Sequence, residues 1–114
     1  MMNTASLLEN ITYQENDKPT VTVLLKTANT KEVRIVMKKG QCMKEHKAPY
    51  PIIIEMFDGE IDFGINGNKQ ILKKGDMIAL EANVPHDLSC LQESIIRLSI
   101  SVQDKVERVN QVIA

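Results

Sequence analysis

Residues 60–68 read EIDFGINGN, and the first seven alternate: Ile61, Phe63 and Ile65 are apolar, while Asp62, Gly64 and Asn66 between them are polar or small. A repeat of two is the period of a β-strand, whose successive side chains point to opposite faces. One face of this stretch is therefore apolar and the other is not. Asn66, Gly67 and Asn68 close it with tight-turn chemistry, because Asn and Gly accept the positive φ that hairpins need. The segment reads as a strand running into a turn.

The same period recurs on both sides. In EVRIVMK (32–38), Val33, Ile35 and Met37 fall on one face and Glu32, Arg34, Val36 and Lys38 on the other. In SIIRLSIS (94–101), Ile96, Leu98 and Ile100 alternate with Arg97, Ser99 and Ser101. TVTVLLK (20–26) is a further strand, and PIIIEMF (51–57) is nearly continuous, the pattern of a strand buried on both faces. Asp58-Gly59 and two Lys-Lys-Gly runs, ending at Gly40 and Gly75, mark turns into new segments. Strands this closely spaced predict an all-β sandwich or barrel. Its core is expected to include Ile52, Ile54, Ile61, Phe63, Ile96 and Leu98, with Met37, Met43, Met56 and Met77 filling gaps.

Helix is expected only at the ends. TASLLENI (4–11) has room for one or two turns. In DKVERVNQVI (104–113), Asp104 is placed to cap, Glu107 follows three residues on, and Val106, Val109 and Ile113 share a stripe. The expected organisation is one domain over residues 1–114, a barrel over about 20–102 and a C-terminal helix over about 104–113.

Composition excludes several classes of function. A formal net charge of −1, with the charges dispersed, offers no basic patch for nucleic acid. The chain has no tryptophan and only two Phe and two Tyr, so it lacks a base-stacking platform. No apolar stretch approaches the roughly 18 residues of a membrane span. MMNTASLLENITYQ (1–14) has neither the basic nor the apolar region of a secretory signal. Cys42 and Cys90 read as reduced structural thiols, and the expected compartment is the cytoplasm.

The chain has only two histidines. After Gly40 come five residues and then His46; thirteen residues later comes Gly59. After Gly75 the chain runs through Glu81 and Asn83 to Pro85 and His86. These spacings resemble the two motifs of the cupin superfamily, over roughly Gly40 to Cys90. The resemblance implies a double-stranded β-helix, or small jelly roll, with the two motifs on facing strands and both histidines aimed into the barrel. It also implies a metal held by three histidines and a glutamate. Here the motif is degenerate: the position of the second histidine is Ala48 and that of the carboxylate is Ile52. Glu81 and Asn83 stand at the proline and glycine of the second motif, and Cys90 at its closing asparagine. A catalytic metal needs about three protein ligands and an open position. His46 and His86 are the candidate metal ligands, and Cys90, on the His86 face of a strand, is a substitute third. The cofactor expected is thus none or a divalent transition metal.

The reading that follows is a small cytoplasmic cupin of undefined activity. It binds a small molecule in the barrel around His46 and His86, with Tyr50, Ile52 and Cys90 as further ligand-binding residues. Ala48 and Ile52 are expected to enlarge and dry the pocket. The alternative is an enzyme, either a metal-dependent dioxygenase or isomerase type with substituted ligands or a metal-free acid/base catalyst using a histidine. The sequence leaves open whether the chain is an enzyme. A third reading, a stand-alone relative of the sensory cupin halves of transcription regulators, lacks a DNA-binding helix-turn-helix. The expected partners are the small molecule and a second copy, in a homodimer through the TVTVLLK edge strand. Two imidazoles brought together repel when protonated, so at least one is expected to titrate below about 6.5.

Overall fold

The computed structural model describes residues 2–13 and 18–111. Seven strands run in chain order: β1 (Thr20–Lys26), β2 (Thr30–Met37), β3 (Cys42–His46), β4 (Ile52–Ile65), β5 (Asn68–Lys73), β6 (Met77–Leu80) and β7 (His86–Ser101). One short helix among the described residues, α1 (Val106–Asn110), follows. All strand pairs are antiparallel. The strands form one sheet in the order β1-β2-β7-β4-β5, with β3 also on β7 and β6 also on β4.

The two long strands organise everything else. β4 and β7 pair with each other from Ile53↔Ser99 to Ile65↔His86. On its other side β4 carries β6 along its first part and β5 along its last, while β7 carries β3 first and β2 last. Midway, between Met56 and Ile61, the register shifts three times. Gly59 sits there at φ +95°, and a Cβ on it would collide with the Glu93 carbonyl and with Ser94 of β7. Only glycine fits both the dihedral and the space. The halves on either side of this kink enclose one core: Ile52, Ile54 and Met56 from the first, Ile61 and Phe63 from the second, with Ile96 and Leu98 from β7. This is the all-β architecture that the alternating segments predict, in the jelly-roll form that the resemblance implies.

Several local expectations are corrected. PIIIEMF is not buried on both faces: Ile53 is 41% exposed while its neighbours Ile52 and Ile54 are buried. An outward Ile53 pairs with Ala79 and Ser99, so the strand keeps period two behind an apolar run. Met77 is 58% exposed and fills no core gap. Residues 4–11 form no helix. Their carbonyls serve the Arg34 guanidinium instead: Nη1 donates to Ser6, Leu7 and Glu9 and Nη2 to Asn10, at 2.8–3.5 Å. A helix would have used those carbonyls internally. The same segment explains why Arg34, on the outward side of β2, is only 2% exposed.

α1 is shorter than the expected span, and the residue placed to cap it does not. The cap position is Lys105, extended at φ −102°, ψ 132°, with no side-chain cap bond. Asp104 instead accepts from Arg108 Nε and Nη2 at 2.8 and 2.7 Å. Val109 is buried in the core and Val106 half-buried. Ile113, the last residue of the expected stripe, lies outside the described residues.

Candidate functional site

The two histidines meet. His46 ends β3, His86 opens β7, and their Cα atoms are direct cross-strand partners. Their ring centroids are 4.2 Å apart with planes inclined at 59°. Phe63 of β4 lies along the other side of His86, at 5.6 Å and 20°. Within β7, His86, Leu88 and Cys90 share the buried face, and Asp87 and Ser89 the opposite one, as period two requires. Just before β7, Asn83 turns at φ 66° and its N–H donates to the Ala48 carbonyl at 2.7 Å. That bond ties the loop that follows His46 to the loop that precedes His86.

Each imidazole is oriented by the backbone two residues before it. His46 Nδ1 lies 2.7 Å from the Lys44 carbonyl oxygen, and His86 Nδ1 lies 2.9 Å from that of Val84. A carbonyl only accepts, so Nδ1 carries the proton, and in the neutral ring Nε2 is left as an acceptor. Burial holds both imidazoles below the ordinary histidine range. The Arg108 charge pushes both the same way, as does His86 on His46; the Nδ1 bonds and Asp87 oppose. The pair is therefore neutral at physiological pH, two hydrogen-bond acceptors in an apolar setting.

The enclosed space beside them is small, about 20 Å³. A single water needs about that much room. His46, His86 and Ile52 line it, with Ile35, Met43, Ile54, Leu88, Ile96 and Leu98 from the sheet and Arg108 and Val109 from α1. The expected enlargement by Ala48 and Ile52 does not occur. Ala48 is packed into the core, and Ile52 and Val109, both buried, line the little space that remains. Tyr50 is not brought to this space; it lines a separate outer cleft with Pro49, Gln103, Asp104, Lys105 and Arg108. Cys90 is not brought there either. Its thiol donates to the Gln92 carbonyl at 2.7 Å, and burial pushes its pKa up, away from the thiolate a metal would need.

Sequence reasoning missed Arg108. Its signal was present, since Asp104 and Arg108 stand four apart, the spacing at which opposite charges meet on a helix. The Asp104 side chain is nearly inaccessible, 1% exposed, and that of Arg108 is 20% exposed.

A resident catalytic metal does not fit this donor set. Among the described residues no group of three or more His, Cys, Asp or Glu is placed to hold one. The two remaining inherited ligand positions are apolar, Ala48 and Ile52, and the Arg108 cation lines the same space. Two imidazoles beside a guanidinium leave a divalent ion without charge compensation.

Comparison with known proteins bears on fold and family. The family profile described as "Cupin domain" matches residues 33–102. No curated protein matches the chain. Among solved structures, an RmlC-like cupin from Desulfovibrio desulfuricans is similar at TM-score 0.76 and 19% identity, over 89% of this chain and 97% of that one. KdgF from Halomonas sp. is similar at TM-score 0.76 and 17% identity, over 93% and 99%. A cupin 2 conserved barrel domain protein from Leptotrichia buccalis is 32% identical at TM-score 0.68, over 83% of this chain but only 45% of that one. No helix among the described residues is long and apolar enough to cross a membrane.

Proposed function

The profile match covers most of the barrel, so the chain belongs to the cupin domain family, and from that premise we propose that it binds a small molecule at the His46–His86 pair without a resident metal. The observation that carries this is the pair itself: two neutral imidazoles, each fixed by a backbone carbonyl, with both Nε2 atoms left as acceptors beside apolar side chains. Small-ligand sites are mostly apolar with a few converging polar groups, and this site has that composition. The metal-dependent enzyme reading would need ligands at positions 48 and 52, which hold Ala48 and Ile52.

A fragment screen on untagged protein tests the proposal, read at the two imidazole Hε1 resonances. Metal analysis of the same sample should give well under one equivalent of any transition metal. Small alcohols, amines and carboxylic acids at millimolar concentration should include binders that move both resonances together, and the shifts should vanish in His46→Asn and His86→Asn. A screen in which no fragment moves either ring, or stoichiometric metal lost on His46→Ala, would overturn the reading.

The proposal extends to assembly and compartment. β1 pairs only with β2, which leaves one of its edges without a strand among the described residues. Val23 on that strand is exposed. Free edges are usually covered, so a second copy pairing through β1 is the expected homodimer. Light scattering should give twice the chain mass at micromolar concentration, and a monomer mass throughout that range would refute it. The two free thiols, Cys42 and Cys90, suit the reducing cytoplasm.

A further inference from the structure

The chamber beside the histidines admits a water and little else, yet an open cleft of about 280 Å³ lies next to it. The two spaces share one wall, the side chain of Arg108. Neither is a ligand site alone, since the chamber has the acceptors but no room and the cleft has room but no imidazole. Joined, they reach the lower end of small-ligand pockets, about 300 Å³. Arg108 can move without unfolding the barrel. It is partly exposed, it sits on a helix of five residues, and its hold on Asp104 is a single bidentate pair. Val109 next to it stays anchored in the core.

We propose that Arg108 is both the gate between these spaces and the residue that selects the ligand, a small carboxylate bearing a hydroxyl group. The inference rests on the small-molecule reading above and names the ligand class for it. The Asp104–Arg108 pair already shows the planar two-bond geometry that a guanidinium makes with a carboxylate. An incoming carboxylate competes for that fork at the cleft, where exposed Lys105 adds a second positive charge. The far end of such a ligand meets two Nε2 acceptors, which need a donor and reject a second anion. A hydroxyl meets that need. Between the two ends the lining is apolar, supplied by Ile52, Leu88 and Leu98, and it suits a short branched carbon skeleton.

Two measurements on the full chain test this. The first titrates 4-hydroxy-3-methylbutanoate, whose hydroxyl and carboxylate stand at opposite ends of a branched chain, and separately its neutral analogue 2-methylbutane-1,4-diol, against the imidazole Hε1 resonances. The acid should move both rings and bind at least about tenfold more tightly than the diol, the worth of one charge-assisted contact, and Arg108→Gln should abolish the difference. Equal affinities, or an acid preference that survives Arg108→Gln, would overturn the carboxylate assignment and leave the small-molecule reading standing. If the broader fragment screen also moves neither ring, both fail. The second measurement follows the reaction of diethylpyrocarbonate with His86, the histidine that is only 3% exposed. Arg108→Ala should accelerate it about tenfold while Lys74→Ala, at an exposed position outside the cleft, leaves it unchanged, the rate scaling with the population of open chamber. An unchanged rate in a folded Arg108→Ala protein would overturn the gate.

Discussion

Phe63→Ala is expected to destabilise the protein by about 3–5 kcal/mol, the range for removing a fully buried aromatic ring from a packed core. Phe63 is among the most deeply buried large side chains and comes from the half of β4 beyond the Gly59 kink, so it joins both halves of the barrel. At 114 residues this corresponds to a fall of roughly 10–20 °C in Tm. The substitution has a second, local consequence. Phe63 lies against one side of the His86 ring, and its loss leaves a void there. If water enters, the burial that holds His86 below the ordinary range is relieved, and its pKa should rise while that of His46 moves less. Thermal melts and a histidine NMR titration of Phe63→Ala and Phe63→Leu check both parts, with Leu expected to retain most of the stability. A Phe63→Ala protein with unchanged Tm and an unchanged His86 titration would show that this ring neither holds the core nor shields the histidine.

That coupling of core and site explains which features could be read in the sequence. Alternation was legible wherever one face meets the core, as at Ile61, Phe63 and Ile65, because burial on one side writes the period directly into residue choice. It failed at Ile52-Ile53-Ile54, where the outward residue is itself apolar and the pattern vanishes although the geometry does not. Arg34 was illegible for a different reason. Its burial depends on carbonyls of residues 6–10, and no local rule announces that a distant segment will cover a strand's outer face. Likewise Asp104 has cap chemistry, but tertiary placement of Arg108 captured its carboxylate.

The site divides in the same way. The pairing of His46 with His86 was implied by the resemblance of two short glycine-to-histidine segments to the cupin motifs, and the strands bear it out. Tyr50 and Cys90 were placed by proximity in sequence and by shared face. The structure sends Tyr50 to the outer cleft, and the Cys90 thiol to the Gln92 carbonyl. The size of the chamber could not be read at all. It is the residue of many side chains packing at once, among them Val109, which reaches the barrel only because α1 docks across its end.

Acidification should destabilise the protein well above the range in which carboxylates titrate, and the two histidines should account for it. Both fold with pKa values below the ordinary one, chiefly through burial, with the Arg108 charge acting in the same direction on each. In the unfolded chain they titrate near about 6.5. Between the folded and unfolded values the unfolded state therefore carries protons that the folded state does not. The slope of stability with pH is proportional to that difference, so stability rises with pH through this window. The contribution is fully present above about 6.5, falls as pH drops toward the folded values, and levels off below them. Each imidazole supplies at most about 1.4 kcal/mol per pH unit, roughly 2.7 together. Of the other charges that act on the rings, Asp87 opposes the effect and favours the protonated form. Removing it by Asp87→Asn should steepen the acid loss, whereas Arg108→Gln should soften it. Chemical unfolding between about pH 8 and about pH 5.5 separates these histidines from the carboxylates, which titrate mainly below that range. The natural protein should lose stability across this span, and the His46→Asn, His86→Asn double variant should be nearly flat. Equal slopes in the two proteins would place the acid sensitivity elsewhere and remove the argument that the paired rings are held neutral by the fold.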